Sequence, residues 1–284
     1  MKLIRHGRPG EEKPGLVDST GALRDLSAHL DDIGPETLDD ATLDRLRALT
    51  PESLPEIDPE TRLGPCVADS RMFLAIGLNY RDHALEAGQP IPEEPILFSK
   101  STASISGPND DVPLLAGSEK LDWEVELGVV IGRDCSHVGS DEALDHVAGY
   151  CIVNDVSERS WQMERGGQWV KGKSHDGYGP TGPWLVTRDE VPDPQNLDMF
   201  LDVGDTRRQT GNTATMIFGV AEVIAYASRF MTLRAGDLIA TGTPPGVGLG
   251  MKPPVYLSAG DTMRLGIAGL GEQRQTVVAS SHRA

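Results

Sequence analysis

The chain has 284 residues, enough for a large core with a smaller unit attached, and 38% hydrophobic with 24% charged residues is ordinary for a globular protein. Its 26 basic against 43 acidic residues give a formal net charge of −17, which argues against a nucleic-acid or anionic-membrane surface and suits a protein that handles small molecules. Cys66, Cys135 and Cys151 have no metal-type spacing and read as reduced core thiols; with no signal peptide in "MKLIRHGRPGEEKPG" and no apolar run of about 18 residues, a cytoplasmic protein with no membrane partner is expected.

In chain order, residues 1–66 are expected to form a small N-terminal α+β domain. "MKLIRHG" and "GALRDLSAHL" flank turn-rich text, and "TLDDATLDRLRAL" repeats Leu at helical spacing. "TPESLPEIDPETRLGP" then reads as a linker, because its prolines and scattered acids sustain neither a helix nor a central strand. From 67 to 284 the text changes to short β-type runs bounded by Gly, Pro or Asp: "MFLAIGLNY", "EPILFSK", "WEVELGVVIG", "GYCIVND", "GPWLVT", "MFLDVG", "DLIATG" and "TMRLGIAG". A mainly β domain with a few helices is expected there. The helical candidates are "SDEALDHV", with Ser140 as its N-cap, and "GVAEVIAYASRFM", apolar enough to lie against a sheet.

Several segments carry chemistry-bearing side chains. In "GLNYRDHALEAG", His83 and Glu86 stand three residues apart and share a face if the segment is helical. Such a pair is either a solvated surface contact or a general-base dyad in which Glu86 orients His83. "DWEVELGVVIG" alternates Asp122, Glu124 and Glu126 with Trp123, Val125 and Leu127, so an extended strand would turn the acids to one face and the apolar groups to the other. That acidic face either meets water or holds a divalent cation. "GYCIVNDVSERSWQ" ends an apolar strand at Asn154 and Asp155, where a third carboxylate could complete an oxygen site for a hard ion such as Mg²⁺. "GGQWVKGKSHDGYGPTGP" sets Lys171, Lys173, His175 and Asp176 in Gly-rich text that lets backbone approach a ligand. "ATGTPPGVGLG" offers Thr241 and Thr243 among glycines after a strand; lacking GK[ST] and GxGxxG, it reads as an oxygen-binding loop.

Taken in order, "GLNYRDHALE", "DWEVELGVVIG", "NDVSER", "RGGQWVKGKS", "GNTATMIFG" and "TGTPPGVG" resemble the fumarylacetoacetate hydrolase family, over about residues 70–270. The N-terminal text with "RDLSAHL" resembles the bacterial branch often labelled ureidoglycolate lyase or diketo-deoxy-sugar-acid hydrolase. The resemblance implies a mixed β-sandwich roll, usually a homodimer, with the small N-terminal α+β domain preceding it. It implies Mg²⁺ or Mn²⁺ on Glu124, Glu126 and Asp155, a His83–Glu86 dyad, Lys173 as the active-site lysine and Thr243 as a substrate-binding group. Asp122 is not a family ligand and is expected behind the ligands. Where many relatives read K-S-x-D-T-F, this chain has "KSHDGY", so Gly177 and Tyr178 replace Thr and Phe and a hydroxyl is expected to be missing from the pocket side of that loop. The implied activity is metal-dependent hydrolysis of a carbon–carbon bond in a 2,4-diketo acid to a 2-oxo acid and a carboxylate. Alternatives on the same scaffold are a tautomerase or decarboxylase of oxaloacetate-like acids and a ureidoglycolate lyase; a catalytically silent metal- or ligand-binding protein is the alternative of another class.

Overall fold

The structure, a computed structural model, describes residues 1–86 and 88–283. It opens with strands β1 (Lys2–His6), β2 (Lys13–Val17) and β3 (Leu23–Asp25) and helix α1 (Asp40–Arg47). Then come β4 (Phe73–Gly77), helix α2 (Arg81–Glu86), β5 (Ile96–Lys100), β6 (Ile105–Ser106), β7 (Val112–Ala116), β8 (Leu121–Asp122), β9 (Val125–Ile131) and β10 (Val147–Asn154). The short β11 (Ser157–Glu158) leads into helices α3 (Arg159–Met163) and α4 (Val170–Lys173), followed by β12 (Gly179–Thr187), β13 (Asp198–Val203) and β14 (Thr206–Asn212). Helix α5 (Val220–Ala227) and strands β15 (Leu238–Ala240), β16 (Thr262–Ile267) and β17 (Gly271–Arg283) complete the chain.

Ten strands form one sheet in the order β3-β2-β1-β12-β10-β9-β15-β4-β5, with β6 pairing to β12 off this path. A second sheet runs β14-β13-β16-β17-β7, and β8 pairs with β11 alone. Most ladders are antiparallel, whereas β15–β4, β12–β6 and β17–β7 are parallel, so the sheets are mixed as expected. The fold is the mainly β sandwich roll with few helices.

Every residue of β9 and β10 is buried, because the central strands are covered on both faces. On one face Leu127, Val129 and Ile152 meet Leu201 and Leu265 of the second sheet and Val223 and Ile224 of α5. On the other, Val130 and Val153 meet Leu3 of β1 and Leu43 and Leu46 of α1. Residues 1–66 therefore extend the main sheet, with Leu3 opposite Leu185 of β12, and share its core. Helix α1 begins where Asp39 accepts the Thr42 N–H at 2.9 Å, satisfying one of the free amides of its first turn.

"SDEALDHV" does not form the expected α-helix. It closes a single 3₁₀ turn over Ala143–His146, and Ser140 does not cap it. Val147 already opens β10, and the His146 carbonyl accepts the Gly132 N–H at the end of β9, so strand pairing leaves no room for another turn. Cys66, Cys135 and Cys151 are free and buried. Among the described residues no helix is long and apolar enough to cross a membrane.

The site follows from the sheet order. Antiparallel β10 ends beside the start of β9, with Asn154 opposite Val125, while β15 runs antiparallel to β9 and parallel to β4. The loops after β4, β10 and β15 and the segment before β9 thus converge at one end of the sheet.

Candidate active site

The acidic strand is interrupted. β8 stops at Asp122 and β9 starts at Val125, so Trp123 and Glu124 lie outside the ladders. Side chains hold the gap open: Asn154 Oδ1 accepts the Glu124 N–H at 3.2 Å and Gln209 Oε1 accepts that of Val125 at 3.0 Å. Glu124 leans toward Asp155, whose N–H donates to the Glu124 carbonyl at 2.9 Å. One oxygen each of Glu124, Glu126 and Asp155 then lies within 4.8 Å of the others, and all three residues are buried.

Like charges this close need compensation, and three buried cations provide it. Lys173 Nζ lies 2.7 Å from Glu124 Oε2 and 2.6 Å from Asp155 Oδ2. Arg159 Nη2 lies 2.7 Å from Glu124 Oε1, and its Nε donates to Asp122 at 2.8 Å. Lys100 Nζ donates to the second Asp155 oxygen and to the Tyr178 carbonyl. Burial raises the Glu124 carboxyl, yet Lys173 and Arg159 override it and hold the group well below the usual carboxylate range. Asp155 and Glu124 keep Lys173 charged against the cost of its burial, while burial lowers the Lys100 ammonium despite the pull of Asp155.

Glu126 is the exception. Among the described residues it forms no salt bridge, and its Oε2 accepts only the Gly242 N–H, at 2.7 Å. Burial and the charges of Asp155 and Glu124 push its carboxyl well above the ordinary range. Four buried acids, Asp122 included, face three buried bases, so the cluster has an excess of negative charge when all are ionised. An uncompensated carboxylate beside two others, all with oxygen donors, fits a hard divalent cation such as Mg²⁺ or Mn²⁺.

Asp122 parts company with the other two acids. Its oxygens accept the N–H groups of Gly248 at 2.7 Å and Leu249 at 3.0 Å, and it meets Glu124 only through Arg159. The same loop after β15 serves two further carboxylates: Gly242 binds Glu126, and Gly246 donates to Glu86 at 3.1 and 3.2 Å. The oxygens it binds are the protein's own acids.

Helix α2 puts His83 and Glu86 on one face, with Nδ1 3.2 Å from Oε2. The hydrogen bonds from His83 and Gly246 hold the Glu86 carboxyl below its ordinary value despite partial burial. This pair and the acid cluster line one cavity of about 660 Å³, together with Lys173 and Thr243. The Thr243 hydroxyl donates to the Val125 carbonyl at 2.9 Å and accepts from Gln209 at 2.8 Å, so its proton is committed to the protein. Gly177 is not among the residues that line the cavity. It has φ +83°, and a Cβ there would sit 2.9 Å from Pro113 Cδ; the missing hydroxyl is not missing from the pocket. Arg159 and Lys100 were not singled out from sequence, although "NDVSER" contains the former and "EPILFSK" ends on the latter.

The sequence profile of the family described as fumarylacetoacetate (FAA) hydrolase C-terminal matches residues 72–278. A protein of Burkholderia multivorans, named a hydrolase only provisionally, is 62% identical over 276 residues, covering 97% of this chain and 98% of its own. The crystal structure of maleylpyruvate hydrolase from Sphingobium sp. SYK-6, in complex with manganese(II) and pyruvate, is 30% identical with a TM-score of 0.83 over 99% of this chain and 100% of that one. The structure of 2-hydroxyhepta-2,4-diene-1,7-dioate isomerase from Mycobacterium marinum is 29% identical with a TM-score of 0.76 over the same shares. With its sheet order, its buried acid cluster and a profile match across most of its length, the chain belongs to the fumarylacetoacetate hydrolase family.

Proposed function

We propose that this protein hydrolyses a carbon–carbon bond of a 2,4-diketo acid, releasing a 2-oxo acid and a second carboxylate. The observation that carries this reading is the sharing of one cavity by the Glu124–Glu126–Asp155 oxygens and the His83–Glu86 pair. The manganese and pyruvate in the Sphingobium relative support it.

Mg²⁺ or Mn²⁺ held by Glu124, Glu126 and Asp155 would supply Lewis acidity toward the oxygens of a 2-oxo acid head. Glu86, fixed by Gly246, holds His83 through Nδ1 and leaves Nε2 to take a proton from water. The water oxygen bonds to C4 of the substrate and the C3–C4 bond breaks. The bonding pair stays on C3, which takes a proton and departs within the 2-oxo acid, while C4 departs as a carboxylate. Two of the three ammonium hydrogens of Lys173 are engaged by Glu124 and Asp155, leaving the third to donate to a developing negative oxygen. For Thr243 to hold a substrate carboxylate through its hydroxyl, the bond to Val125 has to open.

The isomerase named among the relatives favours a second reading, enolate chemistry on an oxaloacetate-like acid without attack by water. The acid cluster serves both reactions, and His83 serves hydrolysis alone. Assaying His83→Ala and Glu126→Gln beside wild type for pyruvate released from acetylpyruvate by hydrolysis and from oxaloacetate by decarboxylation tests the proposal. Wild-type cleavage of acetylpyruvate that is lost in both variants supports hydrolysis; no cleavage of acetylpyruvate by wild type, with decarboxylation lost only in Glu126→Gln, favours the second reading.

A further inference from the structure

From the acid cluster outward, the cavity changes character. Lys173 Nζ lies 5.2 Å from the centroid of the Phe98 ring, and the Phe98 ring lies 5.2 Å from that of Trp169, edge-on at 68°. The two rings thus lead away from the polar end, and Met163, Leu249 and Met251 also line the cavity. The Trp169 position is built in. Gly77, at the end of β4, sits under the indole so closely that a Cβ would fall 2.5 Å from its Cζ3, and any side chain there would displace the ring.

We infer that Trp169 and Phe98 form a fixed aromatic wall that selects the acyl tail of the substrate, favouring an alkyl, alkenyl or aryl 2,4-diketo acid over a polyhydroxylated one. This rests on the proposed reading that a 2-oxo acid head occupies the acid cluster. Apolar atoms gain by leaving water for such a wall, whereas each sugar hydroxyl buried against it would lose a hydrogen-bond partner. Gln89, Gln162 and Lys252 are further polar groups in the lining, and the Gln162 amide oxygen already accepts from Arg159 at 3.1 Å, so they are too few to replace the water around several hydroxyls.

The test compares benzoylpyruvate with a polyhydroxylated 2,4-diketo acid on wild type, Trp169→Ala and Trp169→Phe. Preference is read as kcat/KM where product forms, and as calorimetric Kd with Mn²⁺ present where it does not. Wild type is expected to favour benzoylpyruvate by about tenfold or more, Trp169→Ala to shrink that ratio about tenfold, and Trp169→Phe to restore most of it. A general disturbance of α4 would lower both acids together and leave the ratio unchanged. An unchanged ratio in Trp169→Ala, or a wild-type preference for the polyhydroxylated acid, overturns the inference. Absence of any product defeats the hydrolase reading instead, while the Kd ratio still decides the role of the wall.

Discussion

Arg159 ties Glu124 to Asp122: its Nη2 is 2.7 Å from Glu124 Oε1, and its Nε is bound to Asp122. All three side chains are almost fully buried, so the guanidinium is the main neutraliser of Asp122 and one of two for Glu124. Replacing Arg159 by Met should cost about 3–5 kcal/mol in urea unfolding, because a buried acid is left without its partner. A loss below about 1 kcal/mol would show that water or a neighbouring cation takes over.

Glu126→Gln should separate stability from metal binding. Its carboxyl is already driven toward the neutral form, so the amide should leave the metal-free melting temperature unchanged or raise it. Manganese affinity should fall by at least the 10- to 100-fold (about) that loss of an outer-layer partner causes. Calorimetric titration showing unaltered affinity would remove Glu126 from the site.

Among the described residues His83 bonds to Glu86 and forms no hydrogen bond or salt bridge with Glu124, Glu126 or Asp155, so His83→Ala should leave manganese affinity intact. Hydrolysis of a 2,4-diketo acid should drop about 10²- to 10⁴-fold, the usual cost of a lost general base. Wild-type rates in this variant would defeat the dyad.

Gly177→Thr should destabilise the protein. A β-branched residue at φ +83° is strained, and its Cβ would press on Pro113, so a loss of about 1 kcal/mol or more is expected. A thermal melt checks this, and kcat/KM of the folded enzyme should not change. Improved turnover would mean that position 177 communicates with the cavity.

Much of this was legible in the sequence wherever the signal is local. Leu43 and Leu46 marked α1, the apolar runs marked β9 and β10, and the three-residue spacing of His83 and Glu86 matched a helix. "ATGTPPGVGLG" was readable as an oxygen binder because glycines expose their N–H groups, but which oxygens it binds depends on Asp122, Glu126 and Glu86, all brought in by the tertiary fold. Strict alternation put Asp122 with Glu124 and Glu126; the break after β8, held by Asn154 and Gln209, depends on residues 30 and 84 positions away. Lys100 and Arg159 were hidden for the same reason: a basic residue gives no sign in sequence of whether it faces water or a buried acid. Position 177 misled because family comparison shows which side chain is absent, whereas only the backbone shows that one would be strained there and would press on Pro113.

The most direct test takes wild-type protein stripped of metal by a chelator, offers it acetylpyruvate, and follows pyruvate and acetate together before and after addition of Mn²⁺. Little turnover is expected without metal, and equal amounts of both products with it. Pyruvate forming at the same rate in chelator, or no acetate accompanying the consumption of substrate, would contradict metal-dependent hydrolysis.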